Sequence, residues 1–187
     1  MRQFKPDRLT PENYESKCRE VIRQVRFQGC IDNLSNHSSL RASLVAKHAR
    51  GERLTPAEVE RWVTLELRTS ARTLSGMSLH LAPENAPMMD VVVQPAPMVG
   101  GAPFPLEVKT TNSSGTDYPV FPVSKKAVGL MEAKRLHPRA LVVVVNPVTL
   151  EWWIFKANKS VTKVRETEER VPRWLVRSRD RCLESGR

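Results

Sequence analysis

Two acidic residues and one lysine could together carry chemistry in this sequence of 187 residues. Asp90 heads a β-branched run, and a second apolar stretch contains Glu107, Val108 and Lys109. Because side chains alternate along a strand, Glu107 and Lys109 share one face while Val108 points to the other. When the two stretches pair as neighbouring strands, Asp90 lies across from them. Two carboxylates and one ammonium are then expected to meet on one face of a sheet.

Such a cluster is unfavourable unless a cation joins it, because carboxylates repel each other and an unpaired buried charge is strongly disfavoured. Mg²⁺, for which Mn²⁺ is the expected substitute, prefers oxygen ligands from one or two carboxylates, water and substrate phosphate. Asp90, Glu107 and the backbone carbonyl of Val108 are the predicted ligands. The chemistry that fits is phosphodiester hydrolysis: the metal would polarise the phosphate and activate a water molecule. Lys109 would orient or help to deprotonate that water and offset charge on the phosphate.

The elements that must position this cluster follow from helix-start signals and from the apolar period. Thr55, Pro56 and Glu58 have the spacing of a capping box at the start of a helix. After residue 76 the apolar period shortens to two or to continuous runs, which predicts strands. The predicted elements, in chain order, are a helix at 55–74, strands at 77–81, 88–93 and 104–111, a helix at 125–136, and strands at 141–145 and 151–155. A loop and a short helix are expected over residues 30–54.

The chain resembles the PD-(D/E)xK nuclease superfamily in having Asp90 followed by Glu107-Val108-Lys109 on adjacent predicted strands. This superfamily includes many restriction endonucleases and Holliday junction resolvases, and the resemblance covers roughly residues 56–156. It implies an α/β fold: a restriction endonuclease-like mixed β-sheet flanked by helices, with an αβββαβ core, extra N-terminal helices and a basic C-terminal segment. In that family the two acids bind Mg²⁺ and the lysine is catalytic.

The same resemblance implies a further metal ligand on the helix that precedes the first strand. An acidic residue at this place often joins the metal site in the superfamily. Glu66 fits best, because it lies in the last half of the predicted helix, and Glu60 is the second choice.

Positive charge is concentrated in the two ends of the chain. The net charge of +10 divides into +5 for residues 1–54, +1 for residues 55–156 and +4 for residues 157–187. These boundaries separate a basic N-terminal helical segment, a nuclease core and a basic C-terminal segment, which we expect to form one compact domain. A near-neutral centre between basic ends fits a catalytic core whose arms contact a polyanion. Solubility alone is the alternative explanation.

Seven residues are predicted to contact nucleic acid. They open the helix after the motif, follow the motif directly, or belong to the densest basic run: Lys125, Lys126, Thr110, Asn112, Arg173, Arg177 and Arg179. A terminal helix around 174–183 is expected to present that run. The alternative for each of these residues is an ordinary exposed charge or turn-forming side chain.

These observations predict a metal-dependent endodeoxyribonuclease that hydrolyses phosphodiester bonds in duplex or branched DNA, of the restriction, homing or junction-resolving type. A homodimer is expected, because two-fold symmetry lets a small single-site subunit cut both strands. A larger nucleoprotein complex would be another source of specificity. Two alternatives stay open: a non-cleaving nucleic-acid-binding module of the same fold, and an RNA-directed nuclease. Apolar runs are too short for a membrane span, so we expect a cytoplasmic protein without membrane contact.

Overall fold

The computed structural model describes seven stretches of the chain: residues 15–23, 34–67, 70–82, 89–96, 100–158, 161–170 and 172–186. They include helices α1 over residues 15–23, α2 at Leu34–Ala49, α3 at Pro56–Trp62 and α4 at Lys125–Glu132. A π-helical turn, Val63–Leu67, continues α3, and a 3₁₀ turn follows at Arg72–Leu74. No helix among the described residues is long and apolar enough to cross a membrane.

Nine strands in the described part of the chain form two sheets. In chain order they are β1 at Ser78–Leu81, β2 at Val91–Gln94, β3 at Phe104–Thr110, β4 at Val120–Ser124, β5 at Leu141–Val145, β6 at Trp152–Lys156, β7 at Val161–Glu166, β8 at Arg173–Ser178 and β9 at Glu184–Gly186. The larger sheet has the order β1-β2-β3-β5-β6-β9, and the smaller one has the order β4-β8-β7. Only β3 and β5 pair in parallel among these described strands, and β4 and α4 connect them. The fold is therefore mixed α/β with a mixed sheet.

The start of α3 confirms the predicted capping box. Thr55 N donates to Glu58 Oε2 at 2.7 Å, and Glu58 N donates to Thr55 Oγ1 at 3.4 Å, with Pro56 in the first turn. Each hydrogen bond satisfies a backbone group that the helix itself leaves unpaired. The helix then buries Val59 and Trp62 and packs against β3. Helix α3 therefore covers one face of β3, the strand that carries Glu107 and Lys109.

The six-stranded sheet is covered on both faces. Val91, Leu106 and Val143 face one hydrophobic cluster, which contains residues of α2 and α3. Val92 and Val142 face the opposite cluster, which contains residues of α1, α4 and β4. All five residues of β5 are buried, which accounts for their continuous apolar run. The central strands are consequently rigid supports for any side chain placed at their ends.

Several sequence predictions differ from the structure. Helix α2 has 16 residues where a loop and a short helix were expected, and α4 ends at Glu132 rather than 136. The helix predicted to reach residue 74 instead changes to the π-helical turn after Trp62. The terminal helix predicted at 174–183 is wrong, because β8 occupies the first half of that range as a strand of the smaller sheet and residues 179–183 are not helical. Strand β4 has no counterpart among the predicted elements.

Candidate active site

The predicted cluster lies where β2 begins beside β3. The two strands are neighbours, as expected, and pair antiparallel with Val91 opposite Leu106. Asp90, one residue before β2, donates its backbone N–H to Leu106 O at 3.2 Å. Its Oδ2 then accepts the next amide of the same strand edge, Val108 N, at 2.7 Å. The Asp90 carboxylate therefore accepts the hydrogen bond from β3 that a backbone carbonyl of β2 would accept if that strand continued.

The same geometry sets the direction of the Val108 carbonyl. The N–H and C=O groups of one strand residue point to the same side of the strand. Since Val108 N points toward Asp90, the Val108 carbonyl opens on that same edge, just beyond the start of β2. An acidic side chain and a backbone carbonyl thus line one gap in the sheet.

Lys109 bridges the two carboxylates. Its Nζ atom donates a hydrogen bond to Glu107 Oε1 and lies 3.9 Å from Asp90 Oδ2. The Glu107 side chain is 8% exposed, against 25% for Asp90 and 21% for Lys109. The second carboxylate oxygen, Glu107 Oε2, is buried and has no hydrogen-bond partner among the described residues. A buried acceptor of this kind is unusual in a folded protein and calls for a cation or water.

The pKa values of the three groups reflect this crowding. Burial is the main cause that raises the pKa of Glu107, to about 7; the charges of Asp90 and Glu60 act in the same direction, and Lys109 opposes them. Burial likewise raises the pKa of Asp90, against the Lys109 charge and the Val108 hydrogen bond. Burial acts to lower the pKa of Lys109, but the charges of Glu107 and Asp90 outweigh it and raise that pKa above its ordinary value. Lys109 is therefore an ammonium beside carboxyl groups that are costly to ionise.

Glu60 and Glu66, the two acidic residues considered as a further metal ligand, lie in different surroundings. Glu60 lies on α3, and its charge contributes to the raised pKa of Glu107, which places it within electrostatic range. Glu66 lies in the π-helical turn, which packs against β1, and its Oε1 atom is buried. The charge of Glu60, the second choice from the sequence, thus acts on Glu107.

Three of the predicted nucleic-acid contacts line one cleft of about 570 Å³ that begins one residue beyond Lys109. They are Thr110, Asn112 and Arg173. The charge of Arg173 also acts to lower the pKa of Lys109. This cleft residue therefore lies close enough to the cluster to interact with it electrostatically. Sequence reasoning missed Arg53, which lines the same cleft. No local pattern marks Arg53, because only the tertiary fold brings it there.

The other predicted contacts lie outside the lining of this cleft. Lys125, at the start of α4, forms an exposed ion pair with Glu166 at 2.6 Å, and Lys126 beside it is exposed. Arg177 is exposed on β8, four residues beyond Arg173, and Arg179 follows the end of that strand. All four remain accessible to a large polyanion.

Comparisons of the chain with protein-family models, with curated proteins and with solved structures found no match. The described residues also contain no group of three or more His, Cys, Asp or Glu side chains that could hold a metal ion. The protein ligands of an ion here would be two carboxylates and a backbone carbonyl. Water and substrate would complete such a shell, as is common for Mg²⁺.

Proposed function

We propose that the protein is a Mg²⁺-dependent endodeoxyribonuclease of the PD-(D/E)xK superfamily. The observation that carries this proposal is the cluster itself: two largely buried carboxylates, Asp90 and Glu107, on either side of the Lys109 ammonium. Burying like charges beside each other destabilises a fold and is therefore found where chemistry requires it.

The order of elements supports the same family. Helix α3, strands β1 to β3, helix α4 and strand β5 follow one another in the sequence αβββαβ, with β4 added before α4. The motif residues occupy the start of the second strand and the third strand of that series. The mixed sheet with helices on both faces is consistent with a restriction endonuclease-like fold.

The residues present fit a hard divalent cation. Glu107 Oε2 is a buried oxygen for which the described residues supply no hydrogen bond, and Val108 O opens on the same gap as Asp90. Asp90, Glu107 and Val108 O would hold the ion, with Glu66 as a further ligand from the resemblance. When bound, Mg²⁺ would supply Lewis-acid polarisation of the phosphate and a water of lowered pKa.

The chain's own groups would do the remaining work. Because its pKa is raised, Lys109 is protonated at neutral pH and acts as a hydrogen-bond donor. In that form it would orient the attacking water and offset the charge that develops on the phosphate. Asp90 is held in place by Val108 N, so this carboxylate would be ordered before any ligand arrives. The rigid β3–β5 pair would keep Glu107 and Lys109 on one face throughout the reaction.

A substrate panel tests the proposal and separates it from its alternatives. Purified protein is incubated with plasmid, branched DNA and RNA, in Mg²⁺, Mn²⁺ or EDTA, beside Glu107→Gln. Cleavage of DNA that needs metal and is lost in the variant supports the nuclease. Preferential cleavage of RNA would indicate an RNA-directed enzyme, and binding without cleavage under every metal condition would indicate a non-cleaving module. Sedimentation of the protein with and without duplex tests the proposed homodimer.

A further inference from the structure

Two arginines from distant parts of the chain line the cleft beside Lys109. Arg53 belongs to the connection between α2 and α3, and Arg173 is the first residue of β8. Arg53 Nη2 donates to Asn112 Oδ1 at 3.4 Å, which ties it to the residues that follow β3. Both arginine side chains are exposed. Two guanidinium groups therefore flank one opening next to the candidate active site.

Hydrogen bonds hold the Thr110–Ser113 segment, which forms part of the cleft lining. Thr111 N donates to Val145 O at 2.9 Å, which extends the pairing of β3 with β5. Asn146 Nδ2 donates to Ser113 O at 2.9 Å, and Ser113 N donates to Thr111 Oγ1 at 2.9 Å. Because these bonds anchor the Thr110–Ser113 segment, the cleft has a fixed edge that need not order itself when a ligand binds.

The cleft continues onto the outer face of the smaller sheet. Alternation along β8 directs Trp174 and Val176 toward the core and leaves Arg173 and Arg177 outside. Arg165 of β7 pairs with Leu175 and therefore lies on the same outer face as Arg173 and Arg177. Arg173 and Arg177 are four residues apart on one strand, or about 13 Å. Phosphates of one duplex strand advance about 3.4 Å along the axis for each nucleotide, so the two arginines would contact separate phosphates.

One acidic side chain competes for this surface. Glu169 lines the cleft, and its Oε2 atom lies 3.7 Å from Arg173 Nε. The two side chains are 58% and 50% exposed, so their ion pair is weak and screened by salt. A phosphate accepts two parallel hydrogen bonds from a guanidinium and is the stronger partner. Arg173 can therefore exchange Glu169 for a phosphate with little loss.

Resting on the proposed nuclease function, we propose that the cleft binds the sugar-phosphate backbone of one substrate strand next to the scissile phosphate. Arg53 and Arg173 both hold the backbone, and Glu169 releases Arg173 when the strand enters. Arg177 and Arg165 extend the contact along the outer face of the smaller sheet. The clamp recognises phosphate rather than bases, so it gives affinity and register without sequence preference.

Binding of a labelled short duplex, measured in EDTA on a Glu107→Gln background, tests the clamp separately from cleavage. We expect Arg53→Gln and Arg173→Gln each to weaken binding about fivefold and to lower the slope of log K against log salt by about 1. Glu169→Gln should tighten binding about threefold, a gain that a misfolded protein would not show. The matched control is Arg19→Gln, an exposed arginine on α1 paired with Glu15, which should change affinity less than about twofold.

The outcomes separate this proposal from the nuclease proposal. If both cleft variants bind like Arg19→Gln with an unchanged salt slope, the clamp is wrong even when the wild type cleaves DNA. Unchanged or weaker binding by Glu169→Gln would overturn the exchange of partners, and absence of any binding would overturn the clamp altogether. If the arginine variants lose affinity but no metal supports cleavage by the wild type, the clamp stands and the nuclease proposal fails.

Discussion

The two sheets carry their charges in opposite ways. In the six-stranded sheet, Glu107 is buried, its pKa is raised to about 7, and its neighbours on the motif are another carboxyl and an ammonium. In the three-stranded sheet, Arg165, Arg173 and Arg177 are exposed on one outer face. Burial makes the carboxyl groups of the first set costly to ionise, whereas exposure lets the second set exchange partners freely. The difference supports our proposal of catalysis in the first region and reversible contact with a polyanion in the second.

The largest effect should follow from removing the ammonium of the buried cluster. Lys109→Met should lower the cleavage rate about 10³-fold, because no other described side chain of the cluster can donate to the attacking water or the phosphate. Single-turnover cleavage of a labelled duplex measures this. Lys156→Met, at the exposed end of β6, is the matched control and should retain activity. Cleavage by Lys109→Met at the control's rate would show that Lys109 is not a catalytic residue.

The buried carboxylate should also reduce stability at high pH. The folded-state pKa of Glu107 lies above its ordinary value of 4.5, so wild-type stability rises as pH falls from about 7 toward 4.5. Glu107→Gln lacks this dependence and should be more stable than wild type by about 2 kcal/mol at pH 8 without metal. Urea unfolding at several pH values should show the two proteins converging near pH 4.5. A constant difference, or a less stable variant at pH 8, would contradict the assigned burial.

Glu58 provides the opposite case outside the cluster. Its hydrogen bond from Lys47, with those from Thr55, lowers its pKa to about 2. Its stabilisation is therefore complete above pH 4.5 and is lost as the pH falls toward 2. Glu58→Ala should cost about 1 kcal/mol at pH 7, the usual size of a helix-cap effect. In the same unfolding experiment, the stability cost of Glu58→Ala should shrink as the pH falls, and the stability gain of Glu107→Gln should disappear as well. Glu168→Ala, at an exposed position, is the control.

The smallest effect is expected from an exposed pair near the smaller sheet. The Lys125 and Glu166 side chains are 53% and 41% exposed, and their ion pair at 2.6 Å is open to water. Lys125→Gln should change the free energy of unfolding by less than about 0.5 kcal/mol, and high salt should remove even that. A change above about 1 kcal/mol that persists in salt would show that this region is not a weakly coupled surface.

The motif strands could be predicted because their signals are local. Continuous β-branched runs indicate β2 and β5, and alternation along β3 is enough to place Glu107 and Lys109 on one face. The capping box at Thr55 is equally local. The length of helix α2 is underestimated from the sequence because its amphipathic pattern is weak: of its apolar residues, Leu44 is buried while Val45 is 46% exposed.

The smaller sheet could not be predicted in the same way. Strand β4 contains Pro122, which argues against a strand except at a sheet edge, and β4 is an edge strand. Its partner β8 lies about 50 residues further along the chain, and the charged residues of β7 and β8 resemble those of a solvated tail. Arg53 joins the cleft through another long-range contact, its hydrogen bond to Asn112. The cluster residues can be identified from local sequence patterns. The residues of the cleft come together only through contacts between distant parts of the chain.

The central claim is metal-dependent phosphodiester hydrolysis at Asp90, Glu107 and Lys109. Single-turnover cleavage of one labelled DNA duplex across a Mg²⁺ series, by wild type and by Glu107→Gln shown to be folded, tests it most directly. We predict a wild-type rate that rises to saturation with Mg²⁺ and is absent in EDTA, and no cleavage by the variant at any concentration. Equal cleavage by the two proteins, or wild-type cleavage that persists in EDTA, would contradict the account.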